Sequence, residues 1–231
     1  MRFRAGPDAD ASVRLVRTAR FDDRDVSARA WAELGREERA ALRRMRPGAA
    51  RRDRLAAHAL ARSMLAERAR CRPSDVALRK TALGRPVFVP PAGAARATVS
   101  IAARDGLAIC AVAAGGVVGA DVECVERVGA DPLVVAREVC SAQELRRLLA
   151  LPARRRRAWF LRLWTMKEAV LKATGHGLTV PPAEITVDPE LHFGDVLRDD
   201  PSRWRLVTAW ATPRHAAAVA LRTSHRRRRR A

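Results

Sequence analysis

Apolar positions recur along the 231-residue chain with two periods, and the change from one to the other marks out the elements. Phe160, Leu163, Trp164, Val170 and Leu171 fall on a stripe of period about 3.6, which predicts the strongest helix of the chain over 158–178, with Gly175 as its stop signal. An Ala-rich helix is predicted over 53–69, and a helical pattern runs from about 132 to 150. Shorter β-like segments lie near 97–102, 107–113 and 117–124, with Ala114-Gly115-Gly116 read as a hairpin turn between the last two. Further β-like stretches lie near 184–187, 204–211 and 215–222, and the segment 81–93 reads as a turn-rich connector. The elements mix helix and strand in each half, which predicts an α/β (α+β) fold of one large domain or two small intimate ones.

Composition narrows the partners. The net charge of +20 comes almost entirely from arginine and admits a nucleic acid, a phosphate-rich ligand or an acidic protein partner. Nucleic-acid binding rests on charge alone. The chain has no tyrosine, no recognisable zinc finger or RNA-recognition motif, and no aromatics interleaved with a basic patch. Arg226 to Arg230 form a basic tail, expected to be a solvated, disordered end over 223–231. The N-terminus shows no apolar leader region and no run approaches the roughly 18 apolar residues of a membrane span, so a soluble cytoplasmic protein is expected. Cys71, Cys110, Cys124 and Cys140 lack C-x-x-C spacing and are expected to be free.

Three elements carry candidate chemistry. Asp121 and Glu123 lie two apart in the strand-like Gly119–Val125, so they share a face. Two carboxylates side by side repel, and either solvent or a divalent cation such as magnesium must relieve them. Lys167 and Glu168 interrupt the apolar stripe of the helix, with Lys172 four residues beyond Glu168. A charged cluster there either pairs internally or binds something. Ser141 and Glu144 have capping-box spacing, which is a sufficient structural role for both.

The segment Gly119-Ala120-Asp121-Val122-Glu123, followed by Trp164-Thr165-Met166-Lys167-Glu168-Ala169-Val170-Leu171-Lys172-Ala173-Thr174-Gly175, resembles the paired motifs of 4'-phosphopantetheinyl transferases of the surfactin-synthetase-activating type. Cys140–Glu144, Gly84–Phe88 and the helix around 53–62 resemble further segments of that family, so the likeness spans roughly 45–190. The resemblance implies a pseudo-symmetric fold of two halves, 1–112 and 113–222, with coenzyme A in the cleft between them. It implies transfer of 4'-phosphopantetheine from coenzyme A to a serine of an acidic acyl or peptidyl carrier protein, by a monomeric, magnesium-dependent enzyme of the holo-[acyl-carrier-protein] synthase kind, serving secondary metabolism. Asp121, Glu123 and Glu168 would hold the metal. Lys167, Lys172, Arg85, Ser100 and the basic residues Arg51, Arg52 and Arg54 would contact the coenzyme. Glu168 and Glu144 are the candidate bases for the serine proton, with Glu168 preferred.

One stretch departs from the family pattern. Where the family has a histidine that contacts the coenzyme's phosphate, Ser100-Ile101-Ala102-Ala103-Arg104-Asp105-Gly106-Leu107 places Ala103, with Arg104 next. Either coenzyme binding is weaker here or Arg104 replaces the missing donor, for which a turn or bulge must redirect its side chain. A degenerate member that binds a carrier without transfer is the alternative this stretch allows.

Overall fold

In the computed structural model the described residues are 2–6, 9–129, 131–175, 177–190 and 204–223. The tail residues 224–231 lie outside them. The first half runs β1 (Arg2–Gly6), β2 (Ala9–Arg17), α1 (Arg24–Glu33), α2 (Arg36–Arg43), α3 (Ala49–Ala69), β3 (Ala77–Lys80), β4 (Pro86–Val89), β5 (Thr98–Arg104) and β6 (Leu107–Ala114). The second runs β7 (Gly116–Cys124), α4 (Leu133–Val139), α5 (Ala142–Ala150), α6 (Ala153–Thr174), β8 (Trp204–Thr212) and β9 (His215–Thr223).

The halves repeat one plan. In each, a strand is followed by a long helix and then by two strands, and the last strand inserts between the other two. The sheet orders are β1-β2-β6-β5 and β7-β9-β8, every pairing antiparallel, with β3 and β4 forming a separate ribbon. The inner faces of the two sheets pack on each other through Val13, Ile109, Ala111, Val118, Ala120 and Val122. Helix α3 covers the outer face of the first sheet through Ala61, Leu65, Cys110 and Val112. Helix α6 covers the second through Leu163, Met166, Val170, Ala218 and Ala220. Both helices thus bury one side over about four turns, which secures them better than their propensities alone.

The seam between halves is a pair of edge strands. Among the described residues β7 pairs only with β9, and side chains of β5 meet its other edge: Ser100 Oγ accepts from Ala120 N at 2.9 Å and Thr98 Oγ1 donates to Gly116 O at 3.0 Å. Side chains thus cover an edge that would otherwise expose unpaired backbone groups.

Several expectations are corrected. Gly115 does not close a hairpin, because β6 and β7 belong to different sheets and the chain crosses between them there, with Gly115 at φ 71°. The helix expected over 132–150 is two helices, split where Ser141 caps α5. The helix expected over 158–178 begins at Ala153 after Pro152 and ends at Thr174, with Gly175 left-handed at φ 76°. Residues 184–187 form no strand; Pro182–Glu184 is a 3₁₀ turn. The connector over 81–93 contains β4, and β1 to β3 had no expected counterpart. Cys110, Cys124 and Cys140 are buried and Cys71 half-buried, all free. Among the described residues no helix is long and apolar enough to cross a membrane.

Candidate active site

Gly119 sets the geometry of the acidic cluster. A Cβ there would sit 1.8 Å from Ala169 O and 2.5 Å from Ala173 N, so only glycine lets α6 lie directly on β7. The contact brings the outward face of β7, Asp121 and Glu123, against the turn of α6 that carries Glu168 and Lys172. Glu168 and Lys172 share a helix face because they are four residues apart.

Asp121 is 3% exposed, and its Oδ1 accepts from Lys172 Nζ at 2.5 Å. Its other oxygen, Oδ2, is buried without a partner. Glu123 accepts from Arg104 through both oxygens, at 2.8 Å from Nε and 3.0 Å from Nη2. Burial and then the charge of Asp121 push Glu123 above the usual carboxylate range, against the pull of Arg104. Burial and Asp121 likewise push Glu168 up, opposed by Lys172. Three carboxylates that feel one another, one with an orphaned buried oxygen, have the donor chemistry that suits a hard divalent cation. They are not a ready-made cage. Among the described residues no three such side chains converge for a metal ion, and Lys172 and Arg104 neutralise two of them.

Beside the cluster lies a cleft of about 310 Å³ along the seam, lined by Asp121 and Lys172 from the second half and by Arg54, His58, Lys80, Arg85, Ser100, Ala103 and Arg104 from the first. A second hollow of about 470 Å³ adjoins it, sharing Arg54, His58, Ala103 and Arg104. The walls are basic and the acidic cluster stands at one side, an arrangement matched to a polyanionic ligand.

The structure sorts the expected residues. Asp121, Glu123, Glu168, Lys172 and Arg104 come together; Arg54, Arg85 and Ser100 line the cleft. The Arg85 guanidinium also donates to Ala173 O at 3.1 Å, so it caps α6 as well. Lys167 and Glu144 are not brought to the cleft. Lys167 is fully buried, with Nζ 2.5 Å from Glu144 and donating to Val139 O and Pro182 O at 2.7 and 2.8 Å. Glu144 accepts in addition from Ser141 N at 2.7 Å and Val187 N at 2.8 Å. With every oxygen engaged and 1% exposure, Glu144 has no path to a substrate proton. Arg51 and Arg52 also point elsewhere: Arg51 lies 5.1 Å over the Trp31 ring and Arg52 pairs with Asp22 at 2.8 Å. His58 and Lys80 line the cleft without having been singled out. A lone histidine in an Ala-rich helix and a strand-end lysine carry no pattern that distinguishes them.

Comparison with known proteins finds partial likenesses. Residues 117–220 match the family model of the 4'-phosphopantetheinyl transferase superfamily. The chain is 42% identical over 62 residues to 4'-phosphopantetheinyl transferase psf-1 of Bacillus pumilus, covering 27% of this chain and 25% of that protein. It is 27% identical over 157 residues to 4'-phosphopantetheinyl transferase HetI of a Nostoc species, covering 68% of this chain and 62% of that one. A crystal structure of Helicobacter pylori holo-[acyl-carrier-protein] synthase in complex with coenzyme A aligns with 44% of this chain and 96% of its own, at 14% identity and a TM-score of 0.37. The chain therefore covers less than two thirds of the length of either relative. The match to the superfamily falls on the half that holds the acidic cluster.

Proposed function

We propose that the chain transfers the 4'-phosphopantetheine arm of coenzyme A to a serine hydroxyl of a carrier protein. The observation that carries this reading is the juxtaposition of the Asp121, Glu123, Glu168 and Lys172 cluster with a basic cleft along the seam. Coenzyme A bears a pyrophosphate and a 3'-phosphate, and Arg54, Lys80, Arg85 and Lys172 offer cations along the cleft for them.

Glu168 is the group suited to take the serine proton. Its side chain makes no hydrogen bond or ion pair among the described residues, which leaves the carboxylate unengaged beside Asp121 and Lys172. The serine oxygen bonds to the β-phosphorus, the bond to the 5'-phosphate of the nucleotide breaks, and 3',5'-ADP departs. Lys172 stands where it can balance charge that spreads over the phosphoryl oxygens. Asp121, Glu123 and Glu168 would hold a magnesium ion, whose chemistry when bound is to neutralise the pyrophosphate and the departing group.

The test is direct. Incubation with an apo acyl carrier protein, coenzyme A and magnesium should raise the carrier's mass by one phosphopantetheine group, with 3',5'-ADP released in equal amount. An unmodified carrier across a panel of acyl and peptidyl carriers would overturn the proposal.

A further inference from the structure

Arg104 occupies a position that neither the pairing of β5 nor the acidic cluster alone explains. The ladder between β5 and β6 runs without a bulge from Thr98–Ala113 to Arg104–Leu107. Asp105 and Gly106 then turn the chain with φ of 43° and 98°. Side chains alternate across that strand, so Arg104 shares the face of Ser100 and Ala102 that meets β7, whereas Ala103 faces the other way, toward α3. The redirection expected of a bulge is therefore not needed: Arg104 already points at the seam.

The turn that carries Arg104 is fixed on both sides. Asp105 is clamped by Arg127 at 2.6 and 2.7 Å, and Gly106 N donates to Asp53 at 3.0 Å. The Arg104 guanidinium lies beyond these clamps. It grips Glu123 with two hydrogen bonds, yet the Arg104 side chain remains 44% exposed and lines both hollows of the cleft, while Glu123 is 11% exposed. A guanidinium with one face on a buried carboxylate and the other on a basic cleft can change partners without any backbone shift. A neighbouring buried oxygen, Oδ2 of Asp121, has no partner while Arg104 and Lys172 hold the cluster.

We infer that Arg104 is a displaceable counter-cation of the acidic cluster, which holds Glu123 until a divalent cation takes over that carboxylate and then turns its fork to a phosphate of the ligand in the cleft. This rests on the metal-assisted transfer proposed above. It makes cation binding and phosphate binding cooperative through one side chain, since Arg104 cannot serve Glu123 and the ligand at once.

The experiment uses manganese as the cation and 3',5'-ADP as the bisphosphate, both measured by titration calorimetry on the full chain without carrier. Without nucleotide, Arg104→Ala and Arg104→Gln should each bind manganese about tenfold more tightly than wild type, because a competing cation is gone. In wild type, manganese should strengthen 3',5'-ADP binding, and in both variants that gain should shrink by about tenfold. Circular dichroism confirms that each variant is folded, and the glutamine form keeps the packing of the stem should the alanine form fail. Manganese affinity that is unchanged or weaker in the folded variants would overturn the counter-cation role. An undiminished cooperative gain would overturn the handover to phosphate. Failure of wild type to bind manganese at all would sink the metal reading itself, while carrier modification, measured separately by mass, would show whether transfer stands without it.

Discussion

Strand β2 and helix α3 carry Arg14 and Glu67 where strand β7 and helix α6 carry Asp121 and Lys172. Arg14 stands opposite the fourth residue of β6 and Asp121 opposite the fourth of β9. Glu67 follows Arg62 by the same interval as Lys172 follows Lys167. The correspondence extends to buried ion pairs. Glu38 closes the first turn of α2 on Gly35 N and receives Arg62 from α3, as Glu144 closes α5 on Ser141 N and receives Lys167 from α6. These paired anchors are the shared scaffold. The halves part company around them: Val16 and Ser63 stand where the second half has Glu123 and Glu168, and the Arg14–Glu67 pair is half exposed, at 46% and 54%. A fold repeated twice thus builds one acidic cluster, on the half where Gly119 lets the helix press on the strand.

The largest effect should come from breaking that difference. Asp121→Ala, Glu123→Ala and Glu168→Ala should each lower transfer by about a hundred- to ten-thousandfold, while Arg14→Ala and Glu67→Ala leave turnover unchanged. Steady-state rates at saturating magnesium decide the point, and substantial turnover in any one cluster variant removes that residue from the site. Glu168→Gln should also raise the thermal midpoint without metal, since it removes a half-buried charge that Asp121 opposes.

The shared anchors should show the reverse, a loss of stability in either half. Arg62→Met or Lys167→Met strands a buried carboxylate and should cost about 3–5 kcal/mol by chemical denaturation. The anchor in the first half has a pH signature. Burial alone would raise Glu38, but hydrogen bonds from His58 and Arg62 outweigh it and bring the carboxyl from 4.5 down to about 2. A depressed carboxyl stabilises the fold above its unfolded value and loses that contribution as pH falls through the folded one. Stability on the order of 3 kcal/mol should therefore be lost between about pH 4.5 and 2, and Glu38→Gln should flatten that part of the profile. Glu123 and Glu168, both raised, act oppositely and recover stability as they protonate.

Gly119→Ala tests the contact itself. The added methyl meets backbone atoms of α6, so the helix must lift, at about 1–3 kcal/mol of stability. Transfer should fall further than stability does, because Glu168 and Lys172 leave β7 with the helix. Ser12, at the corresponding place in β2, should accept alanine with little change in either measurement.

The sequence made the acidic cluster legible because two periodicities expose it. Spacing of two in β7 joins Asp121 to Glu123, and spacing of four in α6 joins Glu168 to Lys172. The same reasoning, applied strictly, separates Lys167 from Glu168, since neighbours on a helix diverge by about 100°. Lys167 falls on the side facing α5 and Glu168 on the side facing β7. Arg51, Arg52 and Arg54 could not be sorted that way, because α3 is apolar or small on most sides and only the position of Trp31 and Asp22 decides where each arginine goes. The crossing at Gly115 and the β5 edge contacts are long-range facts that no local pattern holds. Arg104 lies two residues beyond the β-like stretch expected near 97–102, and its partner Glu123 is 19 residues away, across the seam.

The basic run Arg154 to Arg157 yields the smallest and most selective prediction. Four consecutive arginines in the first turn of α6 are unfavourable near its positive end, so their roles must lie elsewhere. Arg156 donates to Leu151 O and Leu149 O at 3.0 and 2.9 Å, and Arg157 donates to Val125 O at 2.6 Å. Those two are occupied in joining α6 to the end of α5 and to the segment after β7. Arg154 and Arg155 are exposed, with only solvent-side roles left to them. If an acidic carrier meets this flank, the attraction is a rim effect that speeds encounter and weakens with salt. Arg154→Ser with Arg155→Ser should raise the KM for carrier by about two- to fivefold at low salt, leave the KM for coenzyme A unchanged, and merge with wild type at high salt. Arg156→Ser and Arg157→Ser should instead lower the melting temperature without that selectivity. An unchanged carrier KM in the first pair would take this flank out of the interface and leave the basic cleft as the place where the charge of the chain acts.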